Sequence, residues 1–249
     1  PYEGTNPPEL YQHYAGHDNN RDWFMFNLQE TRVWGPIIFR EWLPNIIWDV
    51  HQMGSGGARF FVPPFFDPPN PEIDATILTQ ITLLGGAITT RLAEKGLTGV
   101  VTNAIYDQWW HGGFRTAPYY HNLVGILTEA ASSRLATPID IPFDELGGHA
   151  RGLPTAQQRY VNFPQPWPGG TWRLSDIMRY EYETALAILD TAQRHREQWH
   201  WLFYERNRRA VERGLVEAPH AFIISLDQHD PGTARWLLDV LAFQGVEIH

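Results

Sequence analysis

The sequence predicts an α/β fold, with helices packed in layers on the faces of a mixed central sheet. Three observations carry this reading. Residues 45–51 (Asn45-Ile46-Ile47-Trp48-Asp49-Val50-His51) and 123–128 are short apolar runs bounded by chain breakers, the pattern of buried strands. Between them, residues 72–95 read as a long helix stopped by Gly96, because glycine readily takes the left-handed turn that closes a helix. A second long helical pattern fills 174–213.

In chain order, residues 1–22 read as loop, rich in Pro, Asn, Gly and His. A helical pattern covers 29–43 and Pro44 ends it. The run 45–51 then delivers His51 at its C-terminal end, where open α/β sheets place their ligands. Residues 52–71 are a Gly- and Pro-rich loop, 99–105 a strand, and a Trp/Gly/Tyr-rich loop reaches Tyr120. The run 123–128 delivers Glu129. Residues 137–172 are polar, Pro/Gly-rich and without period, a long loop insertion. In 173–214, Met178, Ala185, Ala192 and Trp199 recur every seven residues beside Tyr182, Leu189 and Phe203, predicting one continuous helix with an apolar stripe. Its interleaved arginines and acids mark a solvated face. The segments 220–226, 230–244 and 246–249 read strand–helix–strand, the start of a further α/β unit spanning 215–249.

Composition narrows the function. The 249 residues carry a net charge of −9, which argues against nucleic acid as partner, since phosphate binding needs concentrated Lys and Arg. Lys95 is the sole lysine among 19 basic residues. No cysteine is present, which excludes disulfides, thiolate catalysis and cysteine-held zinc. No apolar run approaches the roughly 20 residues of a membrane span. Aromatic residues are 14% of the chain, 11 of them Trp, which suits both core packing and a lined groove.

Chemistry concentrates in a few segments: Asp18-Asn19-Asn20-Arg21-Asp22, Trp48-Asp49-Val50-His51-Gln52-Met53-Gly54, Ala104-Ile105-Tyr106 with the nearby His111-Gly112-Gly113, and Gly125-Ile126-Leu127-Thr128-Glu129-Ala130-Ala131-Ser132. In this order they resemble the zinc-dependent carboxypeptidases of the carboxypeptidase A-like family. The resemblance covers about residues 14–135 and makes 1–136 the C-terminal part of such a catalytic domain, with the helix after 173 as its closing helix. It implies a zinc carboxypeptidase-like α/β/α fold and one zinc ion. It implies that Asn20 and Arg21 grip the substrate's terminal carboxylate, that His51 is the third zinc ligand, that Tyr106 is the mobile tyrosine, and that Glu129 is the catalytic base. The substrate would be a peptide or acyl-amino acid, and the family favours a secreted or periplasmic location.

The chain departs from the family in one respect. The family's first two ligands come from a His-x-x-Glu motif before the Asn-Arg pair, and none of the 11 histidines here is followed by Glu three residues on. The family's oxyanion-stabilising arginine also precedes that pair, and no arginine precedes Arg21. The chain opens on Pro1, so these groups are expected in a segment upstream of it. The short spacing from Arg21 to His51 points to a divergent, bacterial branch.

The residue types suit this chemistry independently. A strand-end His with an open coordination position holds zinc, a carboxylate takes a water's proton, and Arg holds a carboxylate bidentately. Asp49, two residues before His51, shares its strand face and reads either as a partner of that ring or as an ordinary strand-edge acid. His13 and His17 form a rival metal pair with His51, His111 lines a pocket or caps a loop, and Tyr119 and Tyr120 compete with Tyr106. Two other readings stand beside the peptidase: a non-catalytic carboxylate-binding module, and an amidohydrolase on the same fold.

Overall fold

The computed structural model describes residues 15–134, 137–147 and 151–249. It is a mixed α/β protein whose four-stranded sheet contains β1 (Ile46–Met53), β2 (Phe60–Phe61), β3 (Val100–Val101) and β4 (Val124–Ala131), in the order β1-β4-β2-β3. β1 runs parallel to β4 and β2 parallel to β3, while β2 pairs antiparallel with β4. The register of the first pair sets His51 opposite Glu129.

Every residue of β4 is buried, as a central strand of aliphatic and small residues requires. Alternation splits its side chains between two faces. Val124, Ile126 and Ala130 pack with Ile77, Ile81, Leu84, Ile88 and Leu92 of α2 (Ala75–Glu94) and with Ile177, Tyr180, Ala187 and Ile188 of α3 (Leu174–Arg194). Leu127 packs on the other face with Phe61, Val101, Ala104 and Tyr106. The stripe of α2 recurs at three- and four-residue spacing, and each such side chain contributes about 1.5–3 kcal/mol on burial. Asp74 caps this helix by accepting the Thr76 N–H at 2.8 Å, and Gly96 at φ +69° closes it. At Gly85 a Cβ would meet the Pro63 carbonyl oxygen at 1.9 Å, so only glycine lets the helix cross that loop.

The second face departs from the expected α/β/α layering. Among the described residues it is covered by irregular chain from the predicted loop insertion, which buries Leu146, Leu153, Ala156 and Phe163 against Phe61 and Leu127. That insertion also contributes a two-stranded ribbon, β5 (Ile139–Ile141) and β6 (Gly170–Trp172). Trp172 is buried and its indole N–H donates to the Ala131 carbonyl at 2.8 Å.

Other elements correct the sequence pattern. The predicted helix 29–43 is α1 (Gln29–Pro36) followed by a wider π-helical segment, Ile37–Trp42, because Pro36 lacks the N–H that would continue the ladder. The loop 52–71 contains β2, while the strand 99–105 shrinks to the two residues of β3. The predicted continuous helix breaks at His195 into α3 and α4 (Arg196–Val216). Along α3 its seven-residue stripe is not the buried face: Met178, Tyr182 and Leu189 are exposed, and Ile177, Tyr180, Thr184, Ala187, Ile188 and Thr191 are buried, while the stripe's Trp199, in α4, is buried. A three- and four-residue ladder fits a single sheet face better than a strict heptad, which suits a coiled-coil seam. The solvated face carries i,i+3 and i,i+4 pairs such as Arg208 with Glu205 and Arg213 with Glu217.

Residues 220–226 and 246–249 form no strand, and α5 (Pro231–Gln244) stands between them. α5 returns to the N-terminal region, where Phe243 meets the ring of Phe26 at 4.8 Å and Arg40 donates to the carbonyls of Ala242 and Phe243. No helix among the described residues is long and apolar enough to cross a membrane.

Candidate active site

β1 turns Ile46 and Trp48 toward the helical layer and Asp49 and His51 to the opposite face. On β4, Leu127 and Glu129 take that same opposite face. The parallel register therefore brings the imidazole of His51 and the carboxylate of Glu129 onto one surface of neighbouring strands. Asp49 Oδ1 lies 2.9 Å from His51 Nε2, which joins the two residues as a pair.

Asn20 comes from a short 3₁₀ turn (Asn19–Arg21), started by Asp18, whose side chain accepts the Asn20 N–H at 2.8 Å. The Asn20 amide reaches Asp49 Oδ2 at 3.0 Å and touches His51 Nε2, and its carbonyl oxygen accepts the Phe114 N–H at 3.0 Å. Both ends of this side chain are thus spent inside the protein, on holding the Asp49–His51 pair to the loop at Phe114. Arg21 differs. Its Nη1 donates to the Asn20 carbonyl at 3.1 Å, and its guanidinium lies 5.2 Å from the Trp110 ring, half-exposed.

Electrostatics set the two central groups apart. The hydrogen bond to Asp49 holds the His51 pKa above its ordinary value, against the opposing effect of burial. Burial raises Glu129, and the cationic fields of His51, Arg151 and Arg115 pull it back. No hydrogen bond from the described residues reaches the Glu129 carboxylate. It faces a cleft of about 630 Å³ lined by Gln52, Met53, Ala58, Tyr106 and Arg151. His51 opens into a neighbouring cleft of about 410 Å³ with Asn20, Trp23, Asp49 and Phe114.

Tyr106 is 3% exposed, stacked near Phe61 at 4.3 Å and under the Arg151 guanidinium at 3.9 Å. Burial pushes its hydroxyl above the ordinary range. Its backbone N–H donates to Asp67 Oδ1 at 2.8 Å, and Asp67 also receives the Gln108 N–H. The tyrosine therefore sits in the wall of the Glu129 cleft, clamped rather than swinging free in this conformation.

The other candidates separate cleanly. His13 lies outside the described residues. His17 is held by Asp22 Oδ1 at 3.0 Å, and the buried Asp22 also accepts the Asn27 and Leu28 N–H groups, an arrangement that fixes a loop. His111 packs edge-on to Phe24 at 4.4 Å and lines a cavity with Tyr120. Tyr119 is buried and donates to the Gly125 carbonyl at 3.0 Å.

For zinc, the donor chemistry fits at one corner: a single imidazole whose Nε2 carries a carboxylate partner, the usual orienting contact of a metal-bound histidine. Among the described residues no three His, Asp or Glu side chains converge to hold an ion. His51 by itself therefore makes no metal centre among the described residues.

Sequence reasoning missed two arginines that shape the site. Arg151 comes from the predicted loop insertion and reaches Tyr106 and the field of Glu129. Arg115 follows the His111-Gly112-Gly113 turn and is 6% exposed. The signal for Arg115 was present, since it is the one Lys, Arg, Asp or Glu residue between Asp107 and Glu129.

Fold and site together define a mixed α/β protein built around a buried carboxylate, a carboxylate-paired histidine and a set of arginines. Compared with protein-family models, with curated proteins and with solved structures, the chain matches none.

Proposed function

We propose that this chain carries the base and the carboxylate-binding side of a zinc-dependent carboxypeptidase-type hydrolase, on a zinc carboxypeptidase-like α/β/α fold, acting on peptides or acyl-amino acids. The observation that carries the reading is the register of His51 with Glu129 on adjacent parallel strands, with Glu129 buried, without a hydrogen bond from the described residues, and facing a cleft. Holding a carboxylate away from water without hydrogen bonds is unfavourable, and groups perturbed in this way beside a cleft cluster at functional sites.

In this reading His51 is one metal ligand and Asp49 fixes its ring orientation. Zinc bound there, with the rest of its ligands from outside the described residues, would polarise the scissile carbonyl and acidify a water. Glu129 accepts that water's proton and returns it to the leaving amine, and a raised pKa moves it toward the neutral range where such transfer is most effective. Arg21, half-exposed beside Trp110, holds the substrate's terminal carboxylate through charge-assisted hydrogen bonds. Asn20 serves by positioning Asp49 and His51, a different task from the one the resemblance implies.

The test compares an N-acylated dipeptide with its C-terminal amide, using the metal-loaded enzyme. The free acid should be cleaved and the amide should be poor, because the amide offers Arg21 no charge. Equal hydrolysis of the two would contradict an exopeptidase and favour an amidase.

A further inference from the structure

A cavity of about 420 Å³ lies at the C-terminal end of α5, and it follows from how that helix stops. Gly245 takes φ +101°, and the N–H groups of Gly245 and Val246 return at 3.0 Å to the carbonyls of Ala242 and Leu241. A glycine cap of this kind brings the residue after the glycine back onto the last helical turn. Leu241 and Val246 accordingly line one cavity, together with Trp23, Phe24 and Tyr120. Among the described residues no Asp, Glu, Lys or Arg lines it. This volume, walled by aromatic and aliphatic side chains with few polar groups, is that of a small-molecule site.

Two of its polar side chains, His121 and Gln244, are paired in a way that fixes where their hydrogens lie. The Gln244 amide nitrogen donates to the Phe24 carbonyl at 3.0 Å and reaches the Trp23 carbonyl at 3.4 Å. Those oxygens only accept, so the other end of the amide, Oε1, faces His121 Nε2 at 3.0 Å. The imidazole therefore carries its hydrogen on Nε2. Burial, with the nearby charge of Arg40, holds the His121 pKa below its ordinary value against the effect of Gln244. At neutral pH the ring is uncharged, and Nδ1 keeps its lone pair. One face of the ring is stacked on Phe39 at 4.1 Å. The half-buried His121 lines the cavity, and among the described residues no donor meets Nδ1.

We propose that this cavity binds a small uncharged aromatic molecule with one hydrogen-bond donor, of the indole or phenol class. Its N–H or O–H is given to His121 Nδ1, and its ring lies among Trp23, Phe24, Leu241 and Val246. A carboxylate or ammonium on the ligand would find no counter-charge in the wall and is disfavoured. Of the residues of α5 only Val240 is buried, so an occupant that bridges Leu241 and Val246 to Trp23 and Phe24 also secures the helix. Neither the cavity nor its occupant depends on zinc or on the carboxypeptidase-type reading.

The test is a calorimetric titration of the full chain with indole, benzofuran and indole-3-acetate, alongside NMR of the Gly245 and Val246 amides. Indole should bind at one saturable site and shift both amides. Benzofuran keeps the shape of indole but lacks its donor, and should bind about three- to tenfold more weakly, the scale of one neutral hydrogen bond. The charged indole-3-acetate should also bind more weakly than indole. In His121→Phe the advantage of indole over benzofuran should vanish. Leu241→Trp, which fills the cavity, should abolish binding of both while far-UV circular dichroism shows the fold kept. The comparison of the three ligands on the unaltered chain holds even if a variant loosens α5. No saturable binding of indole, equal affinity for indole and benzofuran, or indole-3-acetate binding as tightly as indole would each overturn the proposal. So would an indole preference that survives in His121→Phe, or undiminished binding in Leu241→Trp.

Discussion

Two glutamates withdraw their carboxylates from water on opposite faces of the same sheet. Glu129 leaves β4 on one side, and its neighbour Thr128 leaves on the other, donating at 3.3 Å to Glu181 of α3. Burial raises both pKa values, Glu181 to about 7. Their surroundings differ. Glu181 has one hydroxyl partner, itself shared with the Trp48 indole N–H at 2.9 Å, and its Oε1 is enclosed without a partner. Glu129 has no hydrogen bond from the described residues, but three cationic groups act on it and a cleft opens in front of it. A raised pKa alone therefore does not distinguish a carboxylate open to a cleft from one trapped at a packing interface. Access and the sign of the surrounding charge do.

The contrast is most directly broken by the isosteric amides. Glu129→Gln in the metal-loaded enzyme should lower kcat by about 10²–10⁴-fold, the range of a general base, with the fold intact. Glu181→Gln should leave kcat nearly unchanged. Comparable losses in both would mean that Glu129 is as structural as its counterpart.

Arg21→Ala should come next in size. Loss of a charge-assisted contact should lower kcat/KM for a free-acid substrate by roughly 10- to 100-fold. Amidated substrate should respond little, and a matching loss on the amide would remove Arg21 from carboxylate recognition.

A smaller effect concerns the partner of His51. Asp49→Asn weakens the hydrogen bond that holds the imidazole pKa up and removes its charge, so the His51 titration midpoint, read by NMR, should fall. An unmoved midpoint would show that Asp49 is only an edge acid.

The gentlest test uses pH. Because Glu181 titrates higher in the folded chain than its ordinary value of 4.5, the folded state binds the extra proton. The associated stability is complete below about pH 4.5 and is lost as pH rises through about 7. Glu181→Gln should flatten that decline, measured as urea midpoints across the interval. Glu129 pulls in the same direction, so some slope should remain.

How much of this was legible in the residues follows from what each element draws on. β1, β4 and α2 are long, continuous apolar patterns, and their periods alone identified them. The parity of Asp49 with His51 needed only the two-residue repeat of a strand. β2 is two residues long and owes its place to pairing with Ala130 and Val100, contacts distant in sequence. The heptad in α3 misled because the sheet accepts Ile177, Tyr180 and Ile188 while leaving Met178 and Leu189 in water. The loop insertion hid Leu146 and Phe163, whose burial depends on a sheet face the sequence does not display. Arg115 stood out as the one charged residue between Asp107 and Glu129, but that isolation does not tell whether the side chain is enclosed or solvated.

The fastening of α5 bears on the order of assembly. Gln244 donates its amide to the Phe24 carbonyl at 3.0 Å, across 220 residues of sequence. Phe243 packs on Phe26 in the same place. Phe24 and Phe26 immediately follow the turn that supplies Asn20 and Arg21. The turn beside the candidate site is therefore secured by contacts of very long range, which form late because a large loop must close first. During synthesis the turn at Asn20 leaves the ribosome before α5 does and waits for that helix to secure it.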